Sequence, residues 1–523
     1  MAERADVVVI GAGIAGLVAT LELLEYGRDV VLLDRCQPHE LGGLAREAFG
    51  GTFMVDTSEQ RRSGIEDSFD LAWQDWQALA GFEEGDVWPR RWAEQYVARA
   101  RDEVGGWLKQ HGVWFFPVVN WAERGMYGDG NSVPRFHLCW GCGQGMVDGV
   151  YGAIQEHPRR SHLDLRFRTL VTKLEPGLVH TEDGEIEANA IVVAAGGIGG
   201  NLDIVRRHWP KNMGSPPQEI LMGSHYYADG AMHQEVERIG GNVTHLERMW
   251  NYADAVHHPK PRRKDHGVKL IPPRSGLLFD PDGKRYGPAP VMPTFDAYYA
   301  LERMCEDERK YSWLVCNWKI ACRELDVSGS EHNPLIREKR LVRFLLSVLT
   351  GKPNLVRYFV EHCPDFVTAD SVPELARKMN ELNGNDDLDA ELMESEIRRY
   401  DGNIARGKSL WNDDQLRRIA QLRNWRGDRL RTAKFVPITA PKAGPLIAIK
   451  LQVMARKSLG GIQTDLESRV LDKSGTPIPG LYAAGEAAGF GGGGLHGKRS
   501  LEGTFLGGCV FSARLAAKSI AGR

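Results

Sequence analysis

Apolar and polar positions near the start of the chain change rhythm in a telling order. Val7 to Ile10 form an unbroken apolar run, the pattern of a strand buried on both faces. Gly11, Gly13 and Gly16 follow as G-x-G-x-x-G, and then Leu17, Leu21 and Leu24 recur at helical spacing. A second apolar run, Val30 to Leu33, ends on Asp34. The pattern predicts a strand, a tight turn, a helix and a parallel strand. In that context the three glycines serve the turn itself, close approach of backbone to a pyrophosphate, and close helix–strand packing. The helix start offers N–H groups and partial positive charge to phosphates. Asp34 stands where a carboxylate accepts from ribose hydroxyls. A tight turn without a ligand is the plainer reading of the same residues.

Further along, 60–115 read as helices with Trp73, Trp76, Leu79, Trp92, Tyr96, Trp107 and Leu108 as core, and 116–149 read as irregular. Strand-like runs at 163–175 and 178–193 lead into a small-residue stretch, Ala194 to Asn201. From about 253 to 436 the character changes. A Pro-rich basic stretch is followed by a hairpin at 279–286 with Asp282-Gly283 as its turn, and then by long helical patterns. Residues 337–350, basic then apolar, predict a packed core helix, with a peripheral membrane helix as the other reading. Asp386, Asp387, Asp389 and Glu391 read as a solvated helix start, because the calcium-loop pattern is not met. Glycine-rich sequence returns at 459–465 and 479–494. Nucleotide-type sequence therefore brackets a different middle. The expected architecture is an α/β Rossmann-like domain, 1–252 plus 437–523, with an inserted α+β cap at 253–436.

With 523 residues, 42% hydrophobic and 26% charged, the composition is that of a globular protein of more than one domain. A net charge of −3 gives no electrostatic case for nucleic acid. No run of about 20 apolar residues suggests a membrane span, and the early strand leaves no room for a leader, so a cytoplasmic location is the expectation. Eight scattered cysteines do not form a disulfide framework. Cys139 and Cys142 form a C-x-x-C, read as two buried thiols, with a redox pair as the alternative. No metal site is expected.

Five blocks, GAGIAG with Asp34, GGLAREAFGG at 42–51, VVAAGGIGGN at 192–201, ADGAMHQEVERIGG at 228–241, and LGGIQTD with PGLYAAGEAAGF near the end, occur in one order. Together they resemble the flavoprotein family of fumarate reductase, succinate dehydrogenase and the 3-ketosteroid dehydrogenases. The resemblance implies an extended FAD with its isoalloxazine at the domain interface. It carries cofactor contacts to Gly11, Gly13, Ala15, Gly16, Asp34, Arg35, Gly42, Gly43, Gly50, Gly51, Val171, Ala194, Ala195, Gly196, Asn201, Gly485, Glu486 and Leu501. Membrane-bound members tether flavin through a His before the second Gly-Gly. Leu44 to Ala48 contain none here, which predicts non-covalent FAD. Phe295 stands where fumarate reductases place a proton-donating Arg, and Arg456-Lys457-Ser458-Leu459 where they place His-Thr, so fumarate is not the expected substrate. The tyrosines that the ketosteroid enzymes use fall on Phe295 and Leu501.

The family reaction moves hydride between flavin N5 and a carbon near a carbonyl. It needs a polar clamp, an acid or base, and a dry face. Candidates are His496, as acid, base or structural hydrogen-bonder; Arg499, as anion binder or partner of Glu502; and Arg456 and Lys457, as cations near flavin or a surface pair. Tyr127, Arg135 and His137 are candidate substrate contacts, and the Gly491 to Gly494 N–H groups are candidates to hold an enolate. Tyr252, Tyr286, Tyr298 and Tyr299 read mainly as packing residues. The aromatics of 107–140 suit a flat apolar small molecule. The leading expectation is a FAD-dependent dehydrogenase or reductase acting at a C–C bond α,β to a carbonyl. An oxygen-using oxidase or hydroxylase and a non-catalytic FAD-binding subunit are the alternatives. The electron carrier and oligomeric state are not legible.

Overall fold

The computed structural model describes every residue except 1, 2 and 288. Its first sheet draws on both ends of the chain. Glu3–Ile10 runs parallel to Val30–Leu33 on one side and to Gly184–Val193 on the other. Leu163–Arg166 extends the first flank, and Pro477–Ala483 extends the second, in both cases parallel. The run read as 163–175 is divided: Val171–Glu175 turns back and forms an antiparallel hairpin with Leu178–Thr181 beside Gly184–Val193. Alternate side chains of Glu3–Ile10 feed two separate apolar cores. Val7 and Val9 meet helix Ile14–Glu25 and the C-terminal helix Thr504–Ala521 on one face. Val8 and Ile10 meet Met232, Val236 and Ile462 on the other. Burial on both faces is why this strand reads as an unbroken apolar run.

A second sheet is centred on Leu446–Ser458, which pairs antiparallel with Met249–His257 and Ser312–Asn317. Gly267–Ile271 joins one flank and Leu277–Phe279 the other. This sheet takes strands from both sides of the positions 252/253 and 436/437. Helices of the middle segment pack with it into one large apolar core that includes Trp313, Phe359, Leu375, Ile397 and Leu416. Asp389 caps helix Ala390–Arg406, accepting from Glu391 N and Leu392 N at 2.9 and 3.0 Å.

Two expectations need correction. Residues 116–149 are not wholly irregular, because Phe136–Leu138 is a strand and Cys142–Glu156 a helix. Three early glycines hid that helix. Gly143 is there because a Cβ would lie 2.0 Å from the Ala45 carbonyl oxygen, so close packing overrides poor helix propensity. Residues 337–350 do not form a packed core helix. Leu341–Thr350 is helical but has no buried residue, and Leu341, Val342, Leu345, Leu346 and Leu349 are each more than half exposed. Only its inner side docks, through Phe344 against Phe116 and Trp140. Apolar periodicity records a stripe, not what covers it. No helix among the described residues is long and apolar enough to cross a membrane.

Candidate active site

One long cavity runs from the C-terminal edge of the first sheet to the face of the second. Its near end is lined by Gly11, Gly13, Ala15, Asp34, Arg35, Gly42, Gly43, Val171 and Ala194 to Gly197. Gly13 stands at the start of helix Ile14–Glu25 with no side-chain cap, so the helix N–H groups stay free for an anion. A Cβ on Gly13 would meet nothing within 4 Å, so the space beside it is open to a ligand. The neighbouring loop comes close here, with Gly42 N donating to the Ala12 carbonyl at 2.9 Å. Asp34 closes the second strand and accepts from Ala12 N at 2.5 Å and Cys36 N at 2.7 Å. Arg35 is held by Asp229 at 2.9 Å and lies over the Tyr227 ring. An uncapped helix start, open space beside glycine and a carboxylate at the strand end together fit the adenosine diphosphate half of a dinucleotide.

The far end is lined by Tyr252, Lys269, Glu123, Arg456, Lys457, Glu502 and Phe505. The Tyr252 phenol donates to Glu502 Oε1 at 2.5 Å and accepts from Lys457 Nζ at 3.2 Å. Trp250 Nε1 donates to the same carboxylate oxygen at 3.1 Å. Lys457 Nζ also sits 3.8 Å from the centre of the Phe505 ring. Burial pushes the Lys457 ammonium down to about 8, despite Glu502 nearby. Burial alone would raise Glu502, but Lys457, Lys269 and the Tyr252 and Trp250 hydrogen bonds outweigh it and hold the carboxyl below its usual value. Burial and then Glu502 raise the Tyr252 phenol well above the ordinary range. Glu123 is raised well above a normal carboxyl by burial, with Asp296 and Glu502 adding to it. Lys269 lies over the Tyr252 ring and donates to Asp254 at 3.1 Å. Three basic side chains, Lys269, Arg456 and Lys457, thus share a dry wall with an ionised carboxylate, Glu502, and a neutral phenol, Tyr252.

Of the residues singled out from sequence, Arg456, Lys457, Gly50, Gly51, Ala195, Gly196 and Glu486 also line the cavity. Burial raises Glu486 to about 7, and its Oε1 accepts from Ser458 N at 2.9 Å. Others stand behind the wall. A Cβ on Gly16 would lie 1.8 Å from the Gly11 carbonyl oxygen, so this glycine serves packing. Gly485 is packed in the same way, with a Cβ there 2.7 Å from Ala15 Cβ. Asn201 caps helix Leu202–Arg207, and Leu501 is buried. His496 bonds through Nε2 to Thr504 Oγ1 at 2.7 Å and packs behind Phe490 and Phe505. Burial holds its imidazole neutral, well below the usual value.

Arg499 pairs with Asp296 at 2.5 Å rather than with Glu502, tying the C-terminal loop to the middle segment. Tyr127 is half-exposed and donates to Asp414 at 3.2 Å. His137 is fully buried, bonded to Thr57 Oγ1 at 2.8 Å and to the Arg135 carbonyl at 2.8 Å. Arg135 is buried between Asp67 and Asp75. The Gly491–Gly494 turn packs on Trp92 and Thr244. Burial pushes the Cys139 and Cys142 thiols up to about 12, so neither is an exposed thiolate. His258, Glu331 and His332 cluster elsewhere, but His258 Nδ1 accepts from Lys260 N at 2.9 Å. That bond leaves the proton on Nε2, facing Glu331, where a metal needs a lone pair.

Sequence reasoning missed Glu502, Lys269 and Glu123 as site residues and read Tyr252 as packing. The period-2 placement of Trp250, Tyr252 and Asp254 on one strand was the available signal.

Three comparisons bear on this geometry. Residues 6–506 match the family model described as FAD binding domain. A KsdD-like steroid dehydrogenase of Mycobacterium tuberculosis is 43% identical, covering 99% of this chain and 96% of its own. A cytochrome-type fumarate reductase of Shewanella frigidimarina is 24% identical over 99% of this chain and 77% of its own. Among solved structures, 3-ketosteroid Δ1-dehydrogenase of Sterolibacterium denitrificans superposes with a TM-score of 0.72 at 16% identity, covering 99% of this chain and all of the other.

Proposed function

The chain belongs to the FAD binding domain family, and from that premise we propose that it oxidises or reduces a C–C bond beside a carbonyl in a steroid-like ketone. It is a FAD-dependent oxidoreductase acting on CH–CH groups. Gly13, Asp34, Gly42 and Gly43 would hold the adenine nucleotide half of the cofactor. Arg456, Lys457 and Glu486 would face its ring end. When bound, FAD supplies the acceptor or donor of hydride. We assign the proton to Tyr252. In the oxidative direction its oxygen takes the proton from the carbon beside the carbonyl while its own proton passes to Glu502 Oε1. In reduction both transfers reverse. Because burial keeps the phenol neutral, a relay suits it better than a standing phenolate. Lys457 and Lys269 oppose the negative charge that grows on oxygen during transfer.

The observation that carries this reading is the Lys457–Tyr252–Glu502 chain in the cavity wall. Phe490, Phe505, Leu506 and Ile271 supply an apolar surface suited to a ring system. The cofactor is held without a covalent bond, since 44–48 offer no histidine. Anaerobic mixing of the purified flavoprotein with saturated and unsaturated 3-ketosteroids tests the reaction. Bleaching of the flavin band with loss of H2 from the steroid, or reoxidation of reduced enzyme by an enone, is expected. Inertness toward the whole panel overturns the reading. Acid precipitation should leave the flavin in the supernatant, and a yellow pellet overturns the non-covalent assignment.

A further inference from the structure

Helix Leu341–Thr350 presents an unusual surface. Leu341, Val342, Leu345, Leu346 and Leu349 are 52%, 72%, 53%, 54% and 58% exposed. At 100° per residue these five fall within an arc of about 140°. The inner side, Phe344, Ser347 and Val348, is the side that packs. The exposed residues therefore form one continuous apolar ridge rather than scattered side chains.

Charge surrounds the ridge in a particular way. The segment 337–350 carries Arg337, Lys339, Arg340 and Arg343 against the single acid Glu338, on a protein whose net charge is −3. Arg337 and Arg340 share the one carboxylate of Glu338, so the segment keeps three positive charges in excess, two of them on Lys339 and Arg343. Arg343 sits at the edge of the apolar arc, where a long stem lies along apolar surface while its head stays in water. An apolar stripe bordered by basic residues complements a surface with acyl chains below and negative headgroups above.

The packed side of the same helix leads to the cavity. Phe344 packs on Phe116 and Trp140, with ring centres 5.3 and 6.3 Å away. Phe49 and Phe136 belong to the same apolar cluster, and both line the cavity. Trp114, 60% exposed, lies beside this cluster, its carbonyl accepting from Trp140 N at 2.7 Å.

We infer that helix Leu341–Thr350 docks the protein on an anionic phospholipid bilayer, with the Leu345–Leu349 ridge in the headgroup–acyl boundary. Docking itself does not rest on the proposed reaction. If that reaction stands, docking places the cavity wall beside the phase in which an apolar ketone is concentrated.

Co-sedimentation of the flavin-loaded full chain with vesicles tests this. Phosphatidylcholine vesicles containing phosphatidylglycerol should carry the protein down, and phosphatidylcholine alone should carry less. The double variant Leu345→Glu/Leu349→Glu should lower the bound fraction at least about tenfold with its flavin spectrum unchanged. Should that variant misfold, the unaltered protein still decides: brominated anionic lipid should quench tryptophan emission, and Trp114→Phe should remove part of the quenching. Protein left in the supernatant with every lipid overturns the inference. So does a dimer in solution that the double variant dissociates without any lipid binding, which assigns the ridge to a second copy of the chain.

Discussion

Glu502 Oε1 holds the Tyr252 phenol at 2.5 Å while Lys457 Nζ approaches the same phenol oxygen at 3.2 Å. The phenol is therefore oriented, and a carboxylate oxygen is in place to receive its proton. Tyr252→Phe keeps the ring and removes only the relay. It should lower kcat by about 10²- to 10⁴-fold, the range for loss of one acid–base group, with much less change in KM. Glu502→Gln should slow turnover similarly while retaining flavin absorbance. Stopped-flow flavin reduction separates these losses from a binding defect.

Lys457 gives the reaction a basic limb. Its ammonium is pushed from 10.5 down to about 8 by burial. Below that pH the folded protein carries the cation that offsets charge growing on oxygen, and above it the cation is lost. kcat/KM should fall with rising pH through about 8, and Lys457→Met should remove that limb and lower the plateau. Stability moves the other way. Between about 8 and 10.5 the unfolded chain holds a proton that the folded chain lacks, so this group makes folding more favourable as pH rises through that window. Steady-state profiles and urea melts at several pH values check both signs.

Arg135 joins two buried carboxylates, with Asp67 at 2.8 Å and Asp75 at 2.5 Å. Removing the guanidinium strands both charges in a dry interior. Arg135→Ala should cost about 3–5 kcal/mol, the range for breaking a buried pair. Differential scanning fluorimetry should show a large fall in Tm. A variant that keeps its Tm and instead loses substrate affinity returns Arg135 to the substrate contacts.

The local grammar of the nucleotide unit was legible because periodicity and glycine spacing are short-range. Val7–Ile10, Gly13 and Asp34 lie within one supersecondary unit, so their order in sequence is nearly their order in space. The proton-handling wall was not legible for the opposite reason. Tyr252 and Lys269 lie on adjacent antiparallel strands, Lys457 reaches them because Leu446–Ser458 pairs with Met249–His257, and Glu502 arrives from the C-terminal loop through its bonds to Trp250 and Tyr252. Arg499 illustrates the same limit. Glu502 is three positions away in sequence, but the loop turns Arg499 toward Asp296 on the middle segment. Proximity in sequence suggested a pair that the tertiary path does not make. The helix at 142–156 failed on composition, since Gly143 serves contact with Ala45 and Ala48 and Gly149 contact with Val113 rather than breaking the helix.

Gly13 and Gly16 sit in one motif but have separable physical roles. A Cβ on Gly13 meets nothing within 4 Å, at φ −68°, an ordinary value for any residue. Gly13→Ala should therefore leave the flavin-free protein's Tm nearly unchanged while placing a methyl in the space left for phosphate. FAD binding should weaken by about a hundredfold, equivalent to about 2.7 kcal/mol. A Cβ on Gly16 would lie 1.8 Å from the Gly11 carbonyl oxygen, where backbone on both sides must shift. Gly16→Ala should instead destabilise the flavin-free fold by at least about 3 kcal/mol, as overpacking of a rigid contact does. Melts of the apoproteins alongside fluorescence titration with FAD distinguish the two. Equal loss of Tm in both variants would mean that the space beside Gly13 closes when no cofactor fills it.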